Sequence, residues 1–362
     1  MRILPIVFLS FLSILAIRVK AQYVGLSPKE MLHLSALLKK NETVKKYYHS
    51  FQTTADAALQ QDPDPVDTII SEGHLVTDPK KIRTIQALRD FNKIYALSLV
   101  YRISNQKKYL SKCIAYLQAW ATVNRGAGNP INDTKLDPLL EAYDMIKEET
   151  PPGQRKIIDD WLTQIATAEI NNPRFQSTRK SVYNNWNSHR IKVVGLIAWI
   201  LNNKKFKHFT DTCFQTQVLK NLYADGSGMD FEDRDALHYH IYTLEPLLSV
   251  AKLMQRAKGR DIYRYRSSTG SSVQHSLDFL VPFVTGEKKH AEFVNSHVSF
   301  DRKRADNHEA GYQIGAKFEP STAIGVLSQA TYFEPRFLKM VQSLLHTEDP
   351  YPNWEVLVNS LE

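Results

Sequence analysis

Cysteine is nearly absent from this chain of 362 residues: Cys113 and Cys213 stand far apart, in no CxxC pattern and beside no Cys/His grouping. That excludes a disulfide framework and a cysteine-built metal site, and leaves core thiols or a single bridge. HExxH spacing is also absent, and His238 and His240, two apart, point to different sides of a helix, so no metal and no cofactor is expected. Long hydrophobic runs are as scarce. Residues 3–17, behind Arg2, form one, and nothing else approaches the roughly 20 apolar residues that a membrane span requires. No basic run is interleaved with aromatics in the manner of a nucleic-acid groove. Period-two alternation, the mark of a half-buried strand, hardly occurs before the last third of the chain.

The apolar run leads to Val19-Lys20-Ala21, a small-x-small pattern that predicts a signal peptide over 1–21, removed after Ala21. No cysteine follows it to carry a lipid anchor. The expectation is one exported domain over 22–362, periplasmic or secreted from a bacterium, and free of the membrane once the signal is gone. With 43% hydrophobic and 23% charged residues, such a chain buries a sizeable core. The formal net charge of +8 falls to +5 once Arg2, Arg18 and Lys20 are set aside. A basic excess favours polyanionic partners. Export argues against nucleic acid, so the partner expected is an acidic polysaccharide; the sequence does not fix an oligomeric state.

What the chain does contain is helices. Ser27-Pro28-Lys29-Glu30 supplies a cap, a first-turn proline and a glutamate three positions after the cap, ahead of MLHLSALLKK. Apolar residues recurring at three or four predict further helices over about 80–104, 107–122, 135–147, 152–170, 186–202, 206–224, 233–257, 271–284, 322–331 and 335–346. Residues 286–320 read as short strands or a long ordered loop. Helix pairs joined by short polar turns predict an all-α hairpin array which, closed on itself, is an α/α toroid with a cleft at one end; open solenoids and large bundles are the alternatives. The loop RGAGNPINDTK (125–135) carries Asn129, Asn132, Asp133 and Lys135 between two helices, where sites are commonly built.

Two clusters carry chemistry. In YNNWNSHR (183–190), Asn184 or Asn185 suits a helix cap. A helix starting there sets Asn185 and His189 on one face and Trp186 and Arg190 on another, gathering an amide, an imidazole, a guanidinium and an indole where the helix dipole favours an anion. In DGSGMDFEDRDALHYHIYTLEPL (225–247), Arg234, His238, Tyr239, His240 and Tyr242 crowd one helix, with His238 and Tyr242 on one face. Few cores need two histidines and two tyrosines in five residues.

The stretch RDALHYHIYTLEPLLSVAKL (234–253) resembles the arginine, Ala-Leu-x-Tyr-His and Pro-Leu signature of the helical-barrel alginate lyases, polysaccharide lyase family five and relatives such as family 38. YNNWNSHR is similar to that family's Asn-Asn-His motif, and INDTKLDPLLEAYD (131–144) resembles the broader superfamily. The resemblance spans about 80–345. It implies metal-independent β-elimination of a 4-linked polyuronate: the C5 proton is removed, the C4 oxygen expelled, and the neighbouring carboxylate neutralised so that the enolate-like dianion is stabilised.

Carried over residue by residue, the resemblance makes Asn185 a carboxylate neutraliser and Tyr239 the base, the acid, or both. Arg234 is the nearest match to the family's arginine, at a different spacing. Trp186 occupies the family's histidine position, and His189, one turn on, takes its place. Tyr242 is the rival tyrosine. Asn184, Trp186, Tyr242, His238, His240, Lys135 and Arg302 are expected at the substrate, with Trp120, Trp186 or Tyr242 as a sugar platform and Lys135 or Arg302 at neighbouring carboxylates. In β-mannuronate and β-glucuronate the C5 proton and the C4 oxygen share a side of the ring, so one tyrosine can serve both. Poly-mannuronate is therefore the first expectation and glucuronan the second; guluronate would need a separate base such as His189. Two other readings stay open: a toroidal glycoside hydrolase using Asp230, Glu232, Asp233 or Asp235, and an exported glycan-binding protein without the chemistry.

Overall fold

The computed structural model describes residues 22–175 and 179–362; the signal peptide expected over 1–21 lies outside them. Among the described residues the helices are α1 (Pro28–Leu38), α2 (Glu42–Leu59), α3 (Pro79–Ala87), α4 (Arg89–Ser104), α5 (Lys107–Val123), α6 (Pro130–Asp133), α7 (Asp137–Ile146), α8 (Pro152–Asn171), α9 (Asn185–Ile200), α10 (Lys204–Asn221), α11 (Met229–Arg234), α12 (Leu237–Lys258), α13 (Val273–Val284), α14 (Ser299–Asp306), α15 (Ile324–Ala330), α16 (Arg336–Leu344) and α17 (Trp354–Asn359). Among the described residues, sheet is limited to the isolated bridges Leu222–Gly228 and Ala291–Lys317. The short strands weighed for 286–320 do not form there: the segment is an ordered loop around α14.

Burial separates two layers. Every residue of α9 from Asn187 to Ile200 is buried, and so is every residue of α4 from Ile94 to Tyr101. A helix apolar all round belongs inside. By contrast α8 and α10 bury one stripe each. Inner α4 packs on α2, α5 and α7, and inner α9 on α8, α10 and α12. Gly195 lets α9 and α10 approach closely, since a Cβ there would lie 3.0 Å from Cγ2 of Thr210. Paired inner and outer helices arranged in this way make an α/α toroid. Helices α2, α4, α7, α9, α12, α15 and α17 enclose an axial cavity of about 610 Å³ that reaches from His189 to Tyr23–Leu26.

That far end is closed by the N-terminal strap. The Asp144 carboxylate accepts from the backbone N–H groups of Tyr23, Val24 and Gly25, while Arg256 donates to the carbonyls of Tyr23 and Gly25 and pairs with Glu30. Glu30 also completes the capping box with Ser27.

Several expected elements differ. The helix foreseen over 80–104 is interrupted at Leu88, between α3 and α4, and the one over 233–257 at Asp235, whose φ is 46°. The sequence reading overlooked α2, whose apolar face is built from Tyr47, Tyr48, Phe51 and small residues rather than aliphatics, and the short α17. Cys113 and Cys213 are both free thiols, so the single bridge is not made.

Candidate active site

Asn184 caps α9, its side chain accepting from the N–H of Trp186 at 3.1 Å. Asn185, buried in the first turn, donates through both its backbone N–H and its amide to Asp230. Asp230 further accepts from Asn221 and Thr243, each at 2.7 Å. Burial raises this carboxyl's pKa, against the hydrogen bonds that lower it. Asp230 is therefore a buried strut that aims Asn185 and ties α9, α10, α11 and α12 together.

One turn on, the buried His189 ring lies against Tyr242, with centroids 4.3 Å apart. Its Nδ1 meets the Thr134 hydroxyl at 2.9 Å. Its Nε2 makes no hydrogen bond of good geometry and faces the backbone carbonyl of Tyr242. That carbonyl lacks its usual helical donor because residue 246 is proline. Both sets of neighbours are served when Thr134 donates to Nδ1 and Nε2–H points at the carbonyl. Burial, then Lys192 and Lys135, hold the His189 pKa well below the ordinary value, so the ring is neutral.

The two tyrosines of α12 differ sharply. Tyr239 is 5% exposed; its hydroxyl accepts from Arg304 at 2.8 Å and its ring carries the Arg234 guanidinium 3.7 Å from the centroid. Arg234 is in turn paired with buried Asp301 at 2.6 Å. Tyr242 is half-buried, and its hydroxyl has no hydrogen-bond partner among the described residues. Burial raises the pKa of both phenols, and Arg304 works against that rise in each.

Left-handed Asp235 makes this corner possible: the turn between α11 and α12 folds Arg234 back over Tyr239. A non-glycine residue in that conformation is strained unless its surroundings hold it. Here Asn295 donates to its carboxylate and Phe293 to its carbonyl, while Glu292 accepts from the N–H groups of Leu237 and His238 and caps α12 from outside.

His238 stands beside Tyr312, Nε2 to hydroxyl 3.3 Å, and burial with Arg304 and Arg234 pushes its pKa down to about 4. Lys135 is solvent-exposed but lies in a concave wall, where burial and then Lys192 lower its pKa. Lys81 behaves similarly, lowered by burial and by Arg304 against the opposing Glu309. Around Tyr242 thus stand the neutral His189 imidazole and the Arg304 cation, opposed by the Glu245 and Glu72 carboxyls, with Lys135 and Lys81 near each other along the wall. This corner can grip a carboxylate and move a proton beside it.

The structure brings Asn185, His189, Tyr239, Tyr242, Arg234, His238 and Lys135 to one end of the toroid. Trp186 is half-buried on the first turn of α9, 5.1 Å below the Arg174 guanidinium. Two expectations are corrected, at His240 and Trp120. His240 faces the opposite side of α12, bonded to the Ser276 carbonyl at 2.9 Å and packed on Phe279. Arg302 is exposed on α14, and the arginine that reaches the Tyr239 hydroxyl is Arg304. Trp120 is fully buried, its indole N–H on Asp90, and offers no sugar platform. Of the carboxylates weighed for hydrolysis, Asp230 is saturated with donors, Asp233 holds Lys180, Asp235 holds Asn295, and Glu232 is exposed and acts on the Tyr223 phenol.

Sequence reasoning missed Arg304, Thr134, Lys81, Tyr312 and Asp230's bracing role. Helical spacing was the available signal for the first: in SFDRKRAD, Phe300, Asp301 and Arg304 share the inward face and Arg302 does not.

The family description "Alginate lyase" matches residues 37–290. A polysaccharide lyase of Stenotrophomonas maltophilia is 27% identical over 203 residues, 51% of this chain and 56% of that protein, so the chain spans little more than half the length of this curated relative. An alginate lyase crystal structure from Bacteroides ovatus superposes with a TM-score of 0.67 at 16% identity, covering 95% of this chain and 100% of that one. Alginate lyase A1-III from Sphingomonas species A1 superposes with a TM-score of 0.56 at 17% identity, over 86% and 90%. The superpositions establish a shared toroidal fold, and with the family match over more than two thirds of its length, the chain belongs to the alginate lyase family.

Proposed function

We propose that the protein is a polysaccharide lyase that cleaves a 4-linked polyuronate by β-elimination, with poly-β-mannuronate as first substrate and glucuronan as second. The observation that carries this is the unbonded Tyr242 hydroxyl, whose ring is in contact with neutral His189 and which feels the Arg304 cation. Family membership points the same way, as do the A1-III variants, one at a tyrosine and one at a histidine, that were each crystallised with a tetrasaccharide.

In this reading Tyr242, rather than Tyr239, takes the C5 proton and returns it to the departing C4 oxygen. Arg304 favours its phenolate form, and Lys135, Lys81 and the Asn185 end of α9 neutralise the carboxylate. One hydroxyl serving both steps acts from one side of the ring, which suits β-mannuronate and β-glucuronate. Because its pKa is raised, Tyr242 is protonated at neutral pH and a good donor; the base form grows as pH rises. The rate at low substrate therefore climbs through the neutral and alkaline range. A second reading is favoured by His238, accessible and neutral above about pH 4: as base it would give a rate flat above roughly that pH.

The test is ultraviolet absorbance with poly-mannuronate, poly-guluronate and glucuronan in parallel, over pH 5–10. Unsaturated uronate from poly-mannuronate, rising with pH, supports the proposal. Shortened chains without absorbance would replace elimination with hydrolysis, and uncut chains with bound protein would make this a glycan-binding protein.

A further inference from the structure

Behind His189 lies a second pair of acids that the reaction does not use. Asp133 ends α6 and is 4% exposed; Glu169, on α8, is fully buried. The two carboxyl groups face each other between α6 and α8, each acting on the other's titration. No donor among the described residues reaches Oδ2 of Asp133 or either Glu169 oxygen. Two carboxylates in contact away from water cannot both be charged, so a proton sits between them. Thr134, which holds Nδ1 of His189, is the next residue in the chain after Asp133, and α6 and α8 both pack on α9.

We infer that Asp133 and Glu169 share one proton, and that this shared proton clamps α6 to α8 so that Thr134 stays seated on His189 and His189 on Tyr242. They are positioning residues and touch no substrate. The inference rests on the proposed role of Tyr242, but the clamp itself is measurable without any activity.

Other charged groups facing the pair are few. Arg190 on α9 stabilises the charged form of Glu169; Cys213 on α10 lies behind Arg190. Burial raises both acids, Asp133 to about 6 and Glu169 further. The sign follows: a carboxyl pair that binds its proton more tightly folded than unfolded stabilises the fold least once that proton is pulled away. Stability is lost as pH rises from the ordinary carboxylate range, about 4, through 6 and beyond.

Glu169→Gln separates the possibilities, because its amide donates to the Asp133 carboxylate with no proton to lose. Glu169→Leu leaves Asp133 without a donor. The clamp predicts that the wild-type Tm falls between pH 5 and 9 relative to Glu169→Gln. It also predicts one sharp His189 ring signal by nitrogen NMR in the wild type and Glu169→Gln, broadened in Glu169→Leu. On a polymer the wild type cleaves, Glu169→Leu loses about tenfold in kcat with KM within about twofold, the cost of misplacing a positioned group, and Glu169→Gln restores it. Parallel Tm curves for wild type and Glu169→Gln, or an unchanged His189 signal in Glu169→Leu, overturn the clamp. Absence of unsaturated product from every polymer overturns the lyase reading instead, and leaves the Tm and ring measurements to decide the clamp.

Discussion

Tyr239 and Tyr242 sit three residues apart on one helix, yet their surroundings give them opposite uses. Tyr239 is enclosed: one arginine covers its face, another holds its hydroxyl, and Phe293 packs on its edge. Tyr242 keeps its hydroxyl unbonded and rests on a neutral histidine. A hydrogen bond already satisfied inside the protein must be broken before the group can work on a substrate, which is why the proposal gives the chemistry to the unbonded tyrosine. The comparison teaches that motif position alone does not assign a role; the partner of the hydroxyl does.

The sharpest way to break this contrast is at His189, which touches only one of the two rings. His189→Ala is expected to lower kcat about 100-fold, within the range for a group that positions an acid/base residue, while the Arg304–Tyr239 contact persists in a crystal structure of the variant. Next comes the pair on α14. Arg304→Ala removes the donor to Tyr239 and a charge near Tyr242, and is expected to cost roughly tenfold in kcat/KM, from a hydrogen bond to a charged group; Arg302→Ala on the same helix leaves the rate unchanged. An equal loss in both would mean that α14 acts through its net charge rather than through Arg304. Last is the strut under α9. Asp230→Ala strands Asn185, Asn221 and Thr243, and should lower unfolding free energy by about 3 kcal/mol in urea titration, as expected for a broken buried network; a loss under about 1 kcal/mol would show that water replaces the strut.

Much of the scaffold was legible from sequence. Helical periodicity located most of α4 to α13, because inner helices such as α9 carry a long apolar stretch and their partners a single stripe. Helix α2 escaped because aromatics and alanines, not aliphatics, make its buried face. The break at Asp235 escaped because its left-handed turn is held by Asn295, Phe293 and Glu292, some sixty residues away in sequence. The same holds for the site. Residues within the two motifs were visible, and the helix face that groups His238 with Tyr242 followed from spacing. Arg304, Lys81 and Thr134 arrive from other parts of the chain, and no pattern within the two motifs announces that Arg304 takes the Tyr239 hydroxyl. His240 was misjudged for the converse reason: its partner, the Ser276 carbonyl, is supplied by α13.

The most direct test is the initial rate of unsaturated-uronate formation by Tyr242→Phe and Tyr239→Phe beside the wild type, on whichever polymer the wild type cleaves fastest. The account predicts a loss of about 1,000-fold for Tyr242→Phe, in the range for removing an acid/base group, and within about tenfold of wild type for Tyr239→Phe, whose loss is a single hydrogen bond. The reverse order would contradict it and return the chemistry to the tyrosine held by Arg304.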